Sequence, residues 1–106
     1  MSVLKTVTVT AENTWTPEID IGEDAIAYVR CGVSGTVGSS KVRVRWYDPD
    51  LPTHICYSDD VLVTSGQTYQ TAIIPGPAKI SAGSKTGEVS GANMVVSLRV
   101  GLKETK

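Results

Sequence analysis

Bulky apolar and hydrophilic residues alternate one by one along most of this chain, and a period of two marks strands with one buried face. The clearest case is Val42, Val44 and Trp46, which alternate with Lys41, Arg43, Arg45 and Tyr47. Near the C-terminus Met94, Val96, Leu98, Val100 and Leu102 alternate with Val95, Ser97, Arg99, Gly101 and Lys103. An opening strand is expected over Val3 to Thr10, with Val3, Val7 and Val9 on one face. Trp15, Pro17, Ile19 and Ile21 are expected to share one face of a second strand, with Thr16, Glu18 and Asp20 opposite. Pro17 removes a ladder donor, so that strand belongs at an edge or contains a bulge.

Ala25 to Val33 forms the next alternation, apolar in part on both faces, and Ser34 to Ser40 reads as a Gly/Ser-rich loop. Short strands follow at Ile55-Cys56-Tyr57, Val61-Leu62-Val63, Thr68 to Ile74 and Lys79 to Ala82. Their breaks are Ser58-Asp59-Asp60, a turn at Ser65-Gly66 and the stop Pro75-Gly76-Pro77. Gly83 to Gly91 reads as a flexible polar excursion. No stretch of eleven or more residues carries an apolar stripe at helical spacing. About eight or nine strands without a long helix close a core as two packed sheets or a barrel. The expectation is an all-β, antiparallel two-sheet β-sandwich, jelly-roll-like, filling residues 1–106 as one domain. Its expected core is Val7, Val9, Trp15, Ile19, Ile21, Val29, Cys31, Val42, Val44, Trp46, Ile73, Ile80, Val96, Leu98 and Val100.

At 106 residues the chain has room for one thin core and not for a large internal active-site cavity. A folded monomer of this mass exposes roughly 5,700 Å². A net charge of −1 and a pI near 5.7 argue against nucleic acid as a partner. No apolar run is long enough to span a membrane, and Met1 to Lys5 shows no signal-peptide pattern, so the protein is expected to fold where it is made. Charge is banded. Lys5 stands against five acids in residues 1–24. Arg30, Lys41, Arg43 and Arg45 stand without an acid in 25–47, and four Asp without a base in 48–60. Such bands either neutralise each other across neighbouring strands or steer the domain onto a partner.

Candidate chemistry is sparse, and most enzyme classes are disfavoured. His54 is the single histidine, and a hydrolytic arrangement with Ser58 and Asp59 would need more than closeness along one loop. Two cysteines and one histidine do not complete a four-ligand zinc site, so no metal and no cofactor is expected. Asp48-Pro49-Asp50 reads as turn chemistry, without the length of a calcium loop. A Cys31–Cys56 disulfide is left open by the sequence, with Cys31 as a small buried hydrophobe the preferred reading. Tyr47 faces away from Trp46 and adjoins the Asp48 loop. Tyr47, Tyr57, Arg43 and Arg45 are therefore the candidate surface contacts, with Tyr47 and Tyr57 the platform on which a glycan would stack.

The order of signals resembles a known group. It runs from an early strand through Trp15-Thr16-Pro17 and Ile19-Asp20-Ile21 to a Ser34-Gly35-Thr36-Val37 turn. Val42 to Asp48, a strand with Tyr69, the segment Ile74 to Ile80 and a final alternating strand complete it. Over roughly residues 3–102 this resembles the small all-β structural proteins of tailed bacteriophages, the capsid decoration or cement proteins and tail-associated sandwich modules. Leu51 to Asp60, with its Pro, His and Cys, departs from the simpler hairpin expected there. The resemblance implies a non-enzymatic virion component, made in the host cytoplasm and present in many copies. It also implies a coat or tail protein as partner and a homo-oligomer, often a trimer at a symmetry axis. Its alternative is a tail-associated module that recognises a receptor glycan.

Overall fold

The computed structural model describes residues 2–58, 61–62 and 67–104, with the backbone alone at 61–62 and 67–71. Among the described residues ten strands follow in order: β1 Ser2–Val9, β2 Thr14–Trp15, β3 Ile19–Ile21, β4 Ala25–Thr36 and β5 Lys41–Tyr47. The rest are β6 Cys56–Tyr57, β7 Val61–Leu62, β8 Gln67–Pro75, β9 Ala78–Ser84 and β10 Asn93–Glu104. Among the described residues there is no helix. Val63 and the Ser65-Gly66 turn lie outside the described residues, as do Asp59 and Asp60.

One sheet has the order β1-β10-β4-β8. In the other, β9 lies between β5 and the short pair β2 and β3, and β6 and β7 continue beyond β5. All the pairings are antiparallel. Taking β2 with β3 and β6 with β7 as single positions leaves two four-position sheets, and nearly every connection crosses from one to the other. First pairs with last, second with second-last, and so inward to β5 with β6. This is the expected jelly-roll-like sandwich, in effect one long hairpin folded over on itself.

The two sheets bury one layer between them. Val9, Ile19, Ile21, Val29, Cys31, Val42, Val44, Ile80, Val96, Leu98 and Val100 all lie in it, as alternation requires. Ala27, Val33, Val37, Ile74, Ala78, Ala82 and Met94 complete it, and Val7 and Trp46 pack half-buried at its margin. The molecule measures 44 × 27 × 19 Å and exposes 5787 Å². The shortest dimension is that of two sheets about 10 Å apart with one layer of outer side chains each.

Four expectations need correction. Ile73 is 68% exposed and its neighbour Ile74 is buried, because the register of β8 shifts opposite Arg30 and sets Ile74 on the inner face. The strand expected over residues 15–21 is split. Thr16 is buried, donating its N–H to the Ala82 carbonyl and accepting the Ala82 N–H on Oγ1. The phase therefore slips by one residue at Pro17, which sends Trp15 to the outer face while Ile19 and Ile21 stay inside. Pro17 sits, as expected, on an edge. Ser34–Thr36 continues β4 instead of forming a loop. The start of the 83–91 excursion belongs to β9, and the remainder is anchored by Ser39 N–H on Ser90 O and Lys41 N–H on Glu88 O.

Candidate interaction surface

The four residues expected at the surface share the outer face of the β5 sheet. Arg43, Arg45 and Tyr47 project from alternate positions of β5, and Tyr57 of β6 pairs with Arg45. Trp15, sent outward by the slip at Pro17, joins them. The Arg45 guanidinium lies 4.2 Å from the Trp15 ring centre, and its Nε donates to Ser81 Oγ at 2.7 Å. Lys85 Nζ lies 4.3 Å from the Tyr57 ring centre, and the Trp15 and Tyr57 rings are 6.0 Å apart. Arg43 grips Glu88 and donates through Nη1 to the Ser58 carbonyl. Lys79 pairs with Asp20 directly across the strands. Tyr47 is half-buried, and hydrogen bonding to the Glu18 carboxylate beside its hydroxyl raises its pKa from the ordinary phenol value.

This face is largely self-satisfied. Its cations sit on its own aromatics or acids, so the charge bands neutralise each other here across neighbouring strands. Tyr57 remains 36% exposed, and one side of its ring carries Lys85.

The opposite outer face is different. Alternation on β4 sends Ile26, Tyr28 and Arg30 outward, and on β10 it sends Val95, Arg99 and Lys103 outward. Arg30 and Arg99 stand directly opposite each other in the β4–β10 register, and Leu4 of β1 faces Arg99 from the other side. Tyr28 faces Ile73 on β8 and Gly101 on β10. Exposure is 68% for Ile73, 50% for Leu4 and 45% for Tyr28. Among the described residues, Arg30 and Arg99 have no ion pair and no side-chain hydrogen bond. The outward positions of the described strands in this sheet carry no acid. A depression of about 480 Å³ lies over Tyr28, Arg30 and Ile73, and two of about 250 and 190 Å³ lie beside it along Leu4, Arg99 and Gly101. Arg30 borders all three.

His54 lies exposed on its loop, its Nδ1 3.4 Å from Thr53 Oγ1. Ser58 pairs with the β5 backbone, its N–H on the Val44 carbonyl and its Oγ accepting the Val44 N–H. Asp48 Oδ1 accepts the Asp50 N–H at 2.8 Å, the bond of an Asx turn. Cys31 and Cys56 are both free, and burial pushes the Cys31 thiol pKa up to about 12. Among the described residues no three His, Cys, Asp or Glu side chains gather where they could hold a metal.

Arg30 and Arg99 were legible as outward residues of their own strands. Their meeting was not, because it depends on β4 pairing with β10, a contact between distant parts of the chain. Compared with known proteins, the chain matches no family model, no curated sequence and no solved structure.

Proposed function

We propose that this chain is a non-enzymatic structural protein of a tailed-phage particle that decorates the coat through protein–protein contacts. The observation that carries the contact reading is the outer face of the β10 sheet. Leu4 on one side and Tyr28 with Ile73 on the other flank two arginines that form no ion pair among the described residues. Exposed apolar patches of this kind on a small domain mark interaction surfaces. The jelly-roll-like order and the thinness of the core support the same reading, since both leave outer surfaces as the places where work is done. The phage setting rests on the order of sequence signals. It implies many copies per virion, grouped as a homo-oligomer such as a trimer around a symmetry axis, after synthesis in the host cytoplasm.

The experiment is co-sedimentation of the purified protein with expanded phage heads, beside light scattering and a hydrolase screen. Saturable binding to heads without hydrolytic activity is the expected result. A strict monomer that leaves heads bare overturns the reading. A tail-associated glycan-binding module is the second reading, favoured by the exposure of Tyr57 beside Trp15. A glycan-array signal lost in Tyr57→Ala would support it over decoration.

A further inference from the structure

Like charges directly opposite on neighbouring strands repel, and among the described residues no acid stands at the outward positions of this sheet to offset Arg30 against Arg99. A second observation points the same way. Gly101 sits in the interior of β10 beside Arg99 and opposite Tyr28, and glycine weakens a strand there. The chain does not need it. A Cβ at Gly101 would meet nothing closer than the Tyr28 carbonyl oxygen at 3.9 Å. The missing side chain instead helps to open the depression bordered by Ser2, Tyr28, Arg30 and Arg99.

The size of the face bears on what it can hold. Four strands at about 4.8 Å spacing and up to twelve residues at about 3.3 Å rise give at most about 760 Å². A standard interface takes about 800 Å² from each partner, so nearly the whole face suits one protein contact. Charge narrows the partner further. Arg30, Arg99 and Lys103 are too few, and too interspersed with Leu4, Tyr28 and Ile73, for a phosphate backbone track. A second copy docked face to face about a two-fold axis would bring four of these guanidiniums together without a counter-charge.

We propose that this face receives an acidic segment of a partner protein, with an Asp or Glu carboxylate seated between the guanidiniums of Arg30 and Arg99. Apolar neighbours of that carboxylate cover Tyr28, Ile73 and Leu4, and Gly101 leaves room for the segment to approach. The proposal rests on the contact reading given above and adds the surface and the chemistry of its partner. Arginine suits this role because its planar fork matches a carboxylate with two parallel hydrogen bonds.

The test is an NMR titration of the whole protein with two blocked, extended pentapeptides at millimolar concentration, Ac-Val-Leu-Glu-Leu-Val-NH2 and the same peptide with Gln at the centre. The Glu peptide is expected to shift the Nε–H signals of Arg30 and Arg99 and the Gly101 amide, and the Gln peptide to bind about tenfold more weakly. Arg30→Gln and Arg99→Gln should each weaken the Glu peptide about fivefold or more. Gly101→Val, a residue that strands favour, should abolish binding while the spectrum stays folded. Gly101→Ala serves if the valine variant does not fold.

Equal binding of the two peptides, or shifts elsewhere only, overturns the proposal. So does tighter binding of a twelve-nucleotide oligothymidylate, or a self-association that broadens these same signals. Heads that bind wild type and an Arg30→Gln/Arg99→Gln double variant alike would also refute this surface while leaving the decoration reading intact. Heads left bare by a protein that still binds the Glu peptide would do the reverse.

Discussion

Arg43 and Glu88 are joined by a forked ion pair, with Arg43 Nε 3.0 Å from Oε1 and Nη2 2.9 Å from Oε2 of Glu88. The pair ties the loop after β9 to the middle of β5, and both side chains are mostly covered. Hydrogen bonding from Arg43 holds the Glu88 carboxyl below its ordinary value of 4.5, and burial opposes this in part. A depressed folded pKa gives stability that is complete above the ordinary value and is lost as pH falls through the folded one. Urea unfolding should therefore show wild type losing stability on acidification more steeply than Glu88→Gln. At neutral pH the variant should be weaker by about 2 kcal/mol.

Arg99→Gln relieves the repulsion across β4 and β10. Its unfolding free energy should exceed that of wild type by up to about 0.5 kcal/mol at low salt. The gain should vanish in about 1 M salt, where the screening length is about 3 Å. Denaturant titrations at two ionic strengths measure it. A salt-independent difference would mean that the arginine is held by packing and not opposed by charge.

The two thiols should separate cleanly in reactivity. Cys56 is exposed, and Cys31 is fully buried with its pKa pushed up to about 12. A thiol reagent at about pH 8 should label Cys56 quickly and Cys31 only after unfolding, since the thiolate is the reacting form. The count of fast thiols per chain, before and after denaturant, is the readout.

Gly83 and Gly101 make a matched pair of substitutions. A Cβ at Gly83 would collide with the Thr14 carbonyl oxygen and come within 2.8 Å of Trp15 Cα. Gly83→Ala should therefore cost about 2–3 kcal/mol, and the tryptophan fluorescence should shift as Trp15 leaves Arg45. Gly101→Ala has open space, and should be neutral or stabilising by about 0.5–1 kcal/mol.

Where one face is buried and the chain runs straight, the sequence was a sufficient guide. Val42 and Val44, and Val96, Leu98 and Val100, lie where their period put them. Legibility failed where the phase changed without a local mark. Ile73 and Ile74 are indistinguishable as neighbours, and the β8 register decides between them. Trp15 went outward because Thr16 took the inner position with its hydroxyl on the Ala82 backbone. Pro17 announced a break but not its direction. Arg43, Arg45 and Tyr47 follow from the alternation of β5 alone, and Tyr57 joins them through a pairing close along the chain. The Arg30–Arg99 face required a long-range pairing that no period encodes.

The most direct test of the account is a reconstruction of phage heads incubated with this protein. Density for the sandwich should cover the coat, with Arg30 and Arg99 turned toward an acidic segment of a coat subunit and the Trp15–Tyr57 face toward solvent. Bare heads, or bound copies whose arginine face looks outward into water, would contradict it.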